Sequence, residues 1–363
     1  MGFNCGIVGL PNVGKSTIFN ALTAAGAAAE NFPFCTIEPN VGIVPVPDRR
    51  QNRLAEISGS EKILPTTLEV VDIAGLVAGA SKGEGLGNKF LGHIRQVDAV
   101  AHVVRCFEDE NIAHVAGSVN PASDIEVIRT ELLLSDIETI DKRIAAVEKG
   151  KKSGDKKLLE GLPKYQALRQ SMDEGHLARM VMEPGDEELY RDLFLITAKP
   201  LIYVCNVMEN DLNRETDTLS AVRGVAQKDG ASVVAICGKI ESELAELSGE
   251  DRKAFLADLG LEESGLERFI REGYRILDLI TYFTTGPKET RAWTIKRGTK
   301  APQAAGVIHS DFERGFIRAE VISFDDLDRL GSEQAVKEKG LLRIEGKDYV
   351  FKDGDVAHFR FNV

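Results

Sequence analysis

The residues that could most clearly do chemistry form one run near the N-terminus, Gly9-Leu10-Pro11-Asn12-Val13-Gly14-Lys15-Ser16-Thr17. The run matches G-x-x-x-x-G-K-[ST], the phosphate-binding P-loop. Its glycines let successive backbone N–H groups turn toward phosphate oxygens, and the start of a following helix adds partial positive charge. An apolar strand is predicted over residues 3–8 and a helix over residues 16–23, which is the context that the motif requires. A chance glycine-rich turn before a helix is the alternative.

Different residues of this motif are expected to contact the nucleoside triphosphate and its metal ion. We expect nucleotide contacts from six consecutive residues, Asn12, Val13, Gly14, Lys15, Ser16 and Thr17. Lys15 can reach the β- and γ-phosphates and is an expected catalytic residue, and the Ser16 hydroxyl can ligate Mg²⁺.

A second motif, Asp72-Ile73-Ala74-Gly75, closes the next strongly apolar strand. An acid at this D-x-x-G position holds Mg²⁺, often through water, and the Gly75 N–H senses the γ-phosphate. The next residue, Leu76, stands where Ras-like enzymes carry a glutamine that orients water. Because leucine cannot orient water, the catalytic group must come from elsewhere or hydrolysis must be slow. A plain strand-ending turn is the alternative, and the P-loop upstream disfavours it.

Two further candidate side chains lie in predicted loops. Thr36 follows the first helix and can complete the coordination of Mg²⁺, as the first switch loop of a nucleotide switch does. His114 lies on a polar stretch over residues 108–114 and is a candidate catalytic group. A lone histidine is more often structural, so spacing alone does not give it a role.

The choice of base is expected at Asn206-Val207-Met208-Glu209, directly after a predicted strand. Guanine-specific enzymes carry N-K-x-D here, with an aspartate that accepts from guanine N1–H and the 2-amino group. Glu209 is one methylene longer and Val207 replaces the packing lysine, whereas Asn206 can still bond N7 of either purine. Because these two differences weaken the recognition of guanine, the segment favours ATP. Cys237-Gly238-Lys239 resembles a base-contacting loop of GTPases, so GTP stays an open alternative.

The bulk composition bounds the class of protein. The chain has 363 residues, of which 43% are hydrophobic and 28% charged, and its formal net charge is −12. These values predict a soluble protein of two or three domains, with no general affinity for nucleic acid and no expected DNA partner. No apolar run is long enough to cross a bilayer, and the N-terminus lacks the pattern of a signal peptide. We therefore expect a cytoplasmic protein.

The order of predicted elements indicates an α/β fold with a parallel sheet, because strands at residues 3–8, 68–73, 99–104, 201–205 and 232–237 alternate with helices. Residues 124–198 interrupt this alternation. Apolar residues at 4-3-4-3 spacing there predict a coiled-coil seam and an inserted antiparallel helical hairpin; they are Leu133, Ile137, Ile140, Ile144 and Val147. Residues 142–164 carry eight basic side chains, either a solvated helix end or a basic finger for ribosomal RNA. A helix is predicted over about residues 263–279. After it, short strands predicted over residues 291–296, 316–322, 349–351 and 357–361 indicate a β-rich module.

Taken together, these motifs resemble the YchF subfamily of Obg-type P-loop proteins, the Obg-like ATPases. The resemblance covers nearly the whole chain and rests on residues 12–17, 32–40, 72–77, 206–209 and the closing run 353–361. It implies an Obg-type G domain of P-loop NTPase fold over residues 1–123 and 199–280. It also implies an inserted helical coiled-coil domain over 124–198 and a C-terminal, β-grasp-like TGS domain over 281–363.

The resemblance also implies chemistry and partners. It implies that ATP is preferred over GTP, through Asn206 and Glu209. It also implies a class of enzymes that carry a hydrophobic residue in place of the catalytic glutamine, which Leu76 fits. A histidine at the position of His114 is implicated in hydrolysis in this family. The family binds ribosomes, particularly the large subunit, and is tied to translation and stress control. The Gly238-Lys239 pair departs from the small residues of relatives, which puts strict ATP selectivity in question.

We therefore expect a Mg²⁺-dependent ATPase that turns over slowly and acts as a nucleotide switch. Its expected partner is the ribosome (50S subunit and 70S), contacted through the TGS domain and the basic hairpin, with ribosomal RNA as a candidate contact. A monomer with no membrane partner is the simplest expectation. The alternatives are a GTPase of the same fold, or an RNA-binding module whose nucleotide site regulates binding with little turnover.

Overall fold

The structure is a computed structural model, which describes residues 3–27, 41–73, 86–109, 111–112, 117–150 and 156–362. For residues 25–27, 86–89 and 156–159 it describes the backbone alone. Four of the predicted site residues lie outside the described residues: Thr36, Gly75, Leu76 and His114.

The chain divides into two compact units. The first, called here the P-loop unit, comprises Asn4–Gly42 and Val70–Gly273. The second, called the C-terminal unit, comprises Met1–Phe3, Ile43–Glu69 and Tyr274–Val363.

The first sheet contains the strands that the sequence predicts. Its order is β2-β4-β1-β5-β6-β7, and the bounds are β1 Phe3–Val8, β2 Val41–Pro45, β4 Thr67–Asp72, β5 Ala99–Arg105, β6 Leu201–Asn206 and β7 Ser232–Ile236. The pairs β1–β5, β5–β6 and β6–β7 are parallel. Every residue of β5 and β6 is buried, which is typical of parallel strands covered on both faces. The predicted parallel α/β sheet is confirmed.

Helices connect these strands and cover them. Those of the P-loop unit are α1 Lys15–Ala27, α3 Leu86–Gln96, α4 Pro121–Gly150, α5 Lys156–Asp173, α6 Ala178–Val181, α7 Glu187–Tyr190, α8 Asp217–Asp229, α9 Gly238–Glu246, α10 Gly249–Asp258 and α11 Gly265–Ile276. The same unit contains two short 3-10 helices, at Arg191–Leu193 and Glu209–Asp211. Among the described residues, no helix is both long and apolar enough to span a membrane.

Helices α4 and α5 form the inserted hairpin. Asp141 on α4 pairs with Arg169 on α5 at 3.1 Å, and Arg129 donates to Gly175 O at 2.7 Å, so the helices run antiparallel. The predicted seam residues line the contact, where all five are buried or packed against the same core as Leu162, Tyr165, Leu168 and Met172. The hairpin begins three residues before the predicted position 124, and the predicted break after Gly150 lies outside the described residues.

A buried carboxylate fastens the chain where it returns from the hairpin. Asp136, in the middle of α4, accepts hydrogen bonds from Ile196 N at 2.9 Å and from Thr197 N at 2.7 Å. The Thr197 hydroxyl donates to the same carboxylate at 2.8 Å. These contacts hold the segment that leads into β6 against the middle of the long helix.

The C-terminal unit is built on a second six-stranded sheet of order β11-β10-β12-β8-β9-β3. Its elements are α2 Arg49–Ser58, β3 Lys62–Leu64, β8 Leu279–Thr285, β9 Glu289–Lys296, α12 Ala301–Ile308, α13 Ser310–Arg314, β10 Phe316–Ser323, α14 Phe324–Leu330, α15 Glu333–Glu338, β11 Arg343–Glu345 and β12 Asp355–Phe361. One core packs around Tyr282 and Phe351 and a second around Leu54 and Phe283. The predicted β-rich module is therefore confirmed, with helices between its strands.

Three details differ from the sequence expectations. Residues 349–351 were expected to form a strand but make one isolated bridge, Val350 with Lys300. The helix predicted to reach residue 279 ends at Ile276, because Asp278 adopts a left-handed φ of 52° and starts the turn into β8. Residues 43–69 belong to the C-terminal unit, since β3 pairs in parallel with β9 and Gln51 donates to Thr290 O at 3.2 Å. The domain boundaries given above stay a prediction.

Candidate nucleotide-binding site

The P-loop joins the end of β1 to the start of α1, as the motif predicts. Three of its residues adopt positive φ: Gly9 at 154°, Asn12 at 63° and Gly14 at 96°. A Cβ atom on Gly9 would lie 2.5 Å from Val103 O, and one on Gly14 would lie 2.2 Å from Asn206 Nδ2. Both positions therefore require glycine, because the backbone has a positive φ and because neighbouring atoms leave no room for a Cβ.

Lys15 of this loop and Asp72 at the end of the neighbouring strand β4 carry opposite charges. The Lys15 side chain is buried, and its Nζ donates to Gly9 O at 2.9 Å and to Leu10 O at 2.7 Å. Burial lowers the pKa of Lys15, and the charge of Asp72 opposes that shift. Conversely, burial raises the pKa of Asp72 and the charge of Lys15 opposes it. The two groups thus lie close enough to stabilise each other's charged form.

Asp72 also has an unused oxygen. Its Oδ1 is buried and has no hydrogen-bond partner among the described residues. A buried polar atom without a partner is costly, and a cation or a cation-bound water would satisfy it. Ser16, by contrast, is exposed at the start of α1. Carboxylate and hydroxyl oxygens are ligands that Mg²⁺ prefers, so these residues fit that ion.

The metal would not be held by protein alone. Among the described residues, no group of three or more His, Cys, Asp or Glu side chains could hold a metal ion. This agrees with a Mg²⁺ bound by one or two protein oxygens together with substrate phosphates and water. Thr36, the third predicted ligand, lies outside the described residues.

Asn206 occupies the centre of the predicted base-reading segment, but its contacts in the structure are with protein. The side chain is buried at the end of β6, where Nδ2 donates to Val13 O at 3.0 Å and Oδ1 accepts from Gly238 N at 3.0 Å. One amide thus links the P-loop to the loop that follows β7. Our sequence reasoning missed this role, although parallel strands that end at the same sheet edge predict such a meeting. Among the described residues Nδ2 makes this one hydrogen bond, so its second hydrogen stays available to an acceptor.

The residues that follow Asn206 differ in their exposure. Val207 is buried and its N–H donates to Ile236 O at 2.9 Å, which ties this segment to β7. Glu209 is exposed at the start of a 3-10 helix. Burial is the main cause that raises the pKa of Cys237, and the charge of Glu209 adds to it, so Glu209 lies near the Cys237 loop. Lys239 is 75% exposed and lies 4.0 Å from Glu243 on its own helix.

A histidine that the sequence did not single out lies in the sheet beside this site. His102 on β5 is buried, and burial together with the charge of Lys15 lowers its pKa to about 3. Its imidazole is therefore neutral at physiological pH. Because every residue of β5 is buried, the sequence pattern offered no signal that would separate this histidine from the core.

Comparison with known proteins matches the chain from end to end. A family model described as "50S ribosome-binding GTPase" matches residues 4–149, and the YchF-GTPase_C model, described as a protein of unknown function, matches residues 279–362. Relatives named "Ribosome-binding ATPase YchF" are 56% identical over 364 residues in Escherichia coli O157:H7 and 52% identical over 366 residues in Bacillus subtilis strain 168. In both cases the match covers 100% of each chain.

A solved structure gives the same result. The Schizosaccharomyces pombe "YchF GTPase" superposes with a TM-score of 0.87 at 37% sequence identity, over 99% of this chain and 98% of that one. The names of these proteins thus differ in the nucleotide, which is ATP for the bacterial relatives and GTP for the yeast structure.

Proposed function

This chain belongs to the YchF family, and on that premise we propose that it is a Mg²⁺-dependent ATPase that converts ATP to ADP and phosphate and acts as a switch on the ribosome. The observation that carries the proposal is the P-loop itself, whose glycines leave no room for a Cβ and whose buried Lys15 interacts through its charge with Asp72. Such a loop has one common use, which is to hold phosphate. The names of the bacterial relatives support ATP as the nucleotide.

The phosphates are held by the P-loop in this proposal. Backbone N–H groups from Asn12 to Thr17 surround them, and the Lys15 ammonium turns from its two carbonyl partners to the β- and γ-phosphates. Ser16, Thr36 and Asp72 hold Mg²⁺, which supplies neutralisation of the charge on the phosphate oxygens when it is bound. The Asp72 Oδ1 atom, which has no hydrogen-bond partner in the described part of the chain, supports this assignment.

The base is read by the segment after β6. Asn206 uses the amide hydrogen left free by Val13 to donate to N7, which both purines carry. Glu209 accepts from the 6-amino group of adenine, and the buried Val207 holds this segment against β7.

Hydrolysis is the in-line attack of water on the γ-phosphate. With Leu76 in place of a glutamine, positioning and electrostatic stabilisation supply most of the rate, and turnover is slow. His114 is the candidate to orient the water, and Gly75 senses the γ-phosphate. Lys15→Ala removes the charge that faces the phosphates, and we expect it to abolish ATP binding in a fluorescence titration; unchanged binding would remove the P-loop assignment.

GTP is the second candidate nucleotide. The exposed Lys239 after β7 and the name of the yeast structure favour it. The two are separated by titration with fluorescent ATP and GTP analogues in Mg²⁺, each competed with unlabelled nucleotide. ATP tighter by tenfold or more, about 1.4 kcal/mol, supports the Asn206–Glu209 readout. Equal or tighter GTP that weakens on Lys239→Ala would make the protein a GTPase.

The ribosome is the proposed partner, as the 50S subunit and in the 70S particle. The C-terminal TGS domain and the basic end of the hairpin form the contact surface, where Lys142 is 74% exposed. The protein acts in the cytoplasm as a monomer. Cosedimentation with ribosomes in the presence of a non-hydrolysable ATP analogue or of ADP tests the switch. Binding that ignores the nucleotide contradicts it, and nucleotide-dependent binding without measurable turnover favours a regulated RNA-binding module.

A further inference from the structure

A row of three buried side chains crosses the sheet of the P-loop unit. In the register of its parallel strands, Val8 pairs with His102, and His102 pairs with Tyr203. Because side chains alternate between the two faces along each strand, residues in register share a face, and all three line one cavity there. Val8 is the last residue of β1. The row therefore starts directly before the P-loop and ends on β6, two strands away.

The inserted hairpin covers this row. The opposite wall of the cavity includes Ile128, Arg129 and Leu132 of α4, which are called here the root of the hairpin. The cavity has a volume of about 20 Å³, which is enough for one water molecule. The contact between the root and the sheet thus leaves space in which a side chain can change its position.

Asp229, at the end of α8, joins the row to the root. Its carboxylate is buried, and the Tyr203 hydroxyl donates to Oδ2 at 2.6 Å. On the other side, Arg129 Nη2 lies 3.4 Å from Oδ1. Within the row, the ring centroids of His102 and Tyr203 are 5.5 Å apart. An unbroken series of contacts therefore leads from the end of β1 to α4.

The ion pair at the root is incompletely satisfied. Asp229 Oδ1 and Arg129 Nε are both buried without a hydrogen-bond partner among the described residues. Arg129 instead donates from Nη2 to Gly175 O at 2.7 Å, in the turn after α5. In a second arrangement Arg129 would bond Asp229 and release Gly175 O, which exchanges a neutral acceptor for a charged one. Each arrangement satisfies one acceptor at the expense of the other, so a small free-energy difference separates them.

We propose that this joint couples the phosphate site to the hairpin: nucleotide binding shifts Arg129 from Gly175 O toward Asp229 and changes how the root is held on the sheet. The inference rests on the proposed nucleotide site and adds the route by which its occupation reaches a distant element. Binding draws Lys15 from its two carbonyl partners, and the loop that rearranges follows directly on Val8. Coupling requires an element with two arrangements that both sites bias, and Asp229 with its two partners is that element.

The test is hydrogen exchange, read by mass spectrometry, on the full-length protein with and without a non-hydrolysable ATP analogue in Mg²⁺. The informative peptides cover residues 121–135, which contain the root. We expect the analogue to change their exchange rates about fivefold or more in the wild type, the lower end of typical allosteric couplings. Tyr203→Phe removes the hydroxyl that holds Asp229, so the change should fall to less than about twofold while the analogue still binds.

The matched control is Tyr190→Phe. It removes a hydroxyl that donates to Lys164 O at 3.2 Å within the hairpin, outside the row, and should keep the full change. Arg129→Gln is a second test variant, because it removes the other partner of Asp229 and should also lose the change. A merely structural defect would raise exchange equally with and without the analogue, whereas loss of coupling removes the difference between the two conditions.

Two results would overturn this inference alone. One is exchange over residues 121–135 that ignores the analogue although a titration of the same sample shows that the wild type binds it. The other is a nucleotide-dependent change that is as large in Tyr203→Phe and Arg129→Gln as in Tyr190→Phe. A wild-type protein that does not bind the analogue would remove the proposed nucleotide site, and this inference with it.

Discussion

Replacement of Asn206 by alanine tests the amide that links the P-loop to the loop after β7. The substitution removes the two hydrogen bonds to Val13 O and from Gly238 N, and both of those backbone groups are buried. A buried polar group that loses its partner costs about 1–3 kcal/mol. With two such groups, we therefore expect Asn206→Ala to lower the free energy of unfolding by ~2–6 kcal/mol in urea titrations, with an unchanged m-value.

The matched control is Asn213→Ala. Asn213 is exposed and makes one hydrogen bond, to Leu259 O at 3.1 Å, so its loss should cost no more than about 0.5–1 kcal/mol. Asn206→Asp refines the test. The aspartate carboxylate still accepts from Gly238 N, but its second oxygen stands where the amide donated to Val13 O and cannot donate. We therefore expect the free energy of unfolding to fall at least as much as with alanine.

The same variant separates the structural role of Asn206 from base choice. Because N7 is present in both purines, Asn206→Ala should weaken ATP and GTP by equal factors and leave their ratio unchanged. The reasoning is refuted if Asn206→Ala and Asn213→Ala lie within 1 kcal/mol of each other. A change in the ATP-to-GTP ratio without loss of stability would instead make Asn206 a reader of the base alone.

Three further outcomes follow from the described contacts. Gly14→Ala places a Cβ against Asn206 at a φ of 96° and should abolish ATP binding in an equilibrium titration. The control Gly92→Ala, with open space around it, should leave ATP affinity intact. Equal ATP affinities of the two variants would mean that the loop tolerates the side chain. Lys15→Ala should lose ATP affinity without loss of stability by thermal melting, since burial of its charge lowers its pKa; a lower melting temperature would identify a structural lysine. Burial raises the pKa of Asp136 to about 6 from 3.8, so the folded state holds this proton more tightly, and its stability should fall by up to ~3 kcal/mol as pH rises from about 4 to 6. In urea titrations the loss caused by Asp136→Asn should accordingly be larger at pH 4.5 than at pH 7, and a loss independent of pH would argue against the shifted pKa.

The local pattern of the sequence predicted the parts of the molecule that short-range chemistry determines. The run Gly9–Thr17 specifies a loop conformation through its glycines, and the 4-3-4-3 spacing specifies a helical seam because i, i+4 and i+3 residues share a face. Both are confirmed by the backbone of the loop and by the burial of Ile140 and Val147. Neither depends on which distant segment lies beside it.

Features that depend on distant partners were missed. The pattern of residues 349–351 suits a strand, but Phe351 is buried in a core and its N–H donates to Thr299 O, so a single bridge forms there. Within residues 43–69, strand β3 (residues 62–64) pairs with β9, more than 200 positions away in sequence, and no local signal reports such a pairing. The link made by Asn206 is of the same kind, since it requires the loops after β1, β6 and β7 to meet.

The continuity of helix α4 has a mechanical consequence. Its first turns bury Ile125 and Ile128, and its last turns form one arm of the hairpin, in 30 residues with no break. At 1.5 Å per residue, this is a rod of about 45 Å without a joint, clamped at its middle by Asp136. A lever of this kind does not absorb displacement by bending. A load applied to its far end is therefore transmitted past the clamp at Asp136 to the near end, where Ile125 and Ile128 are buried.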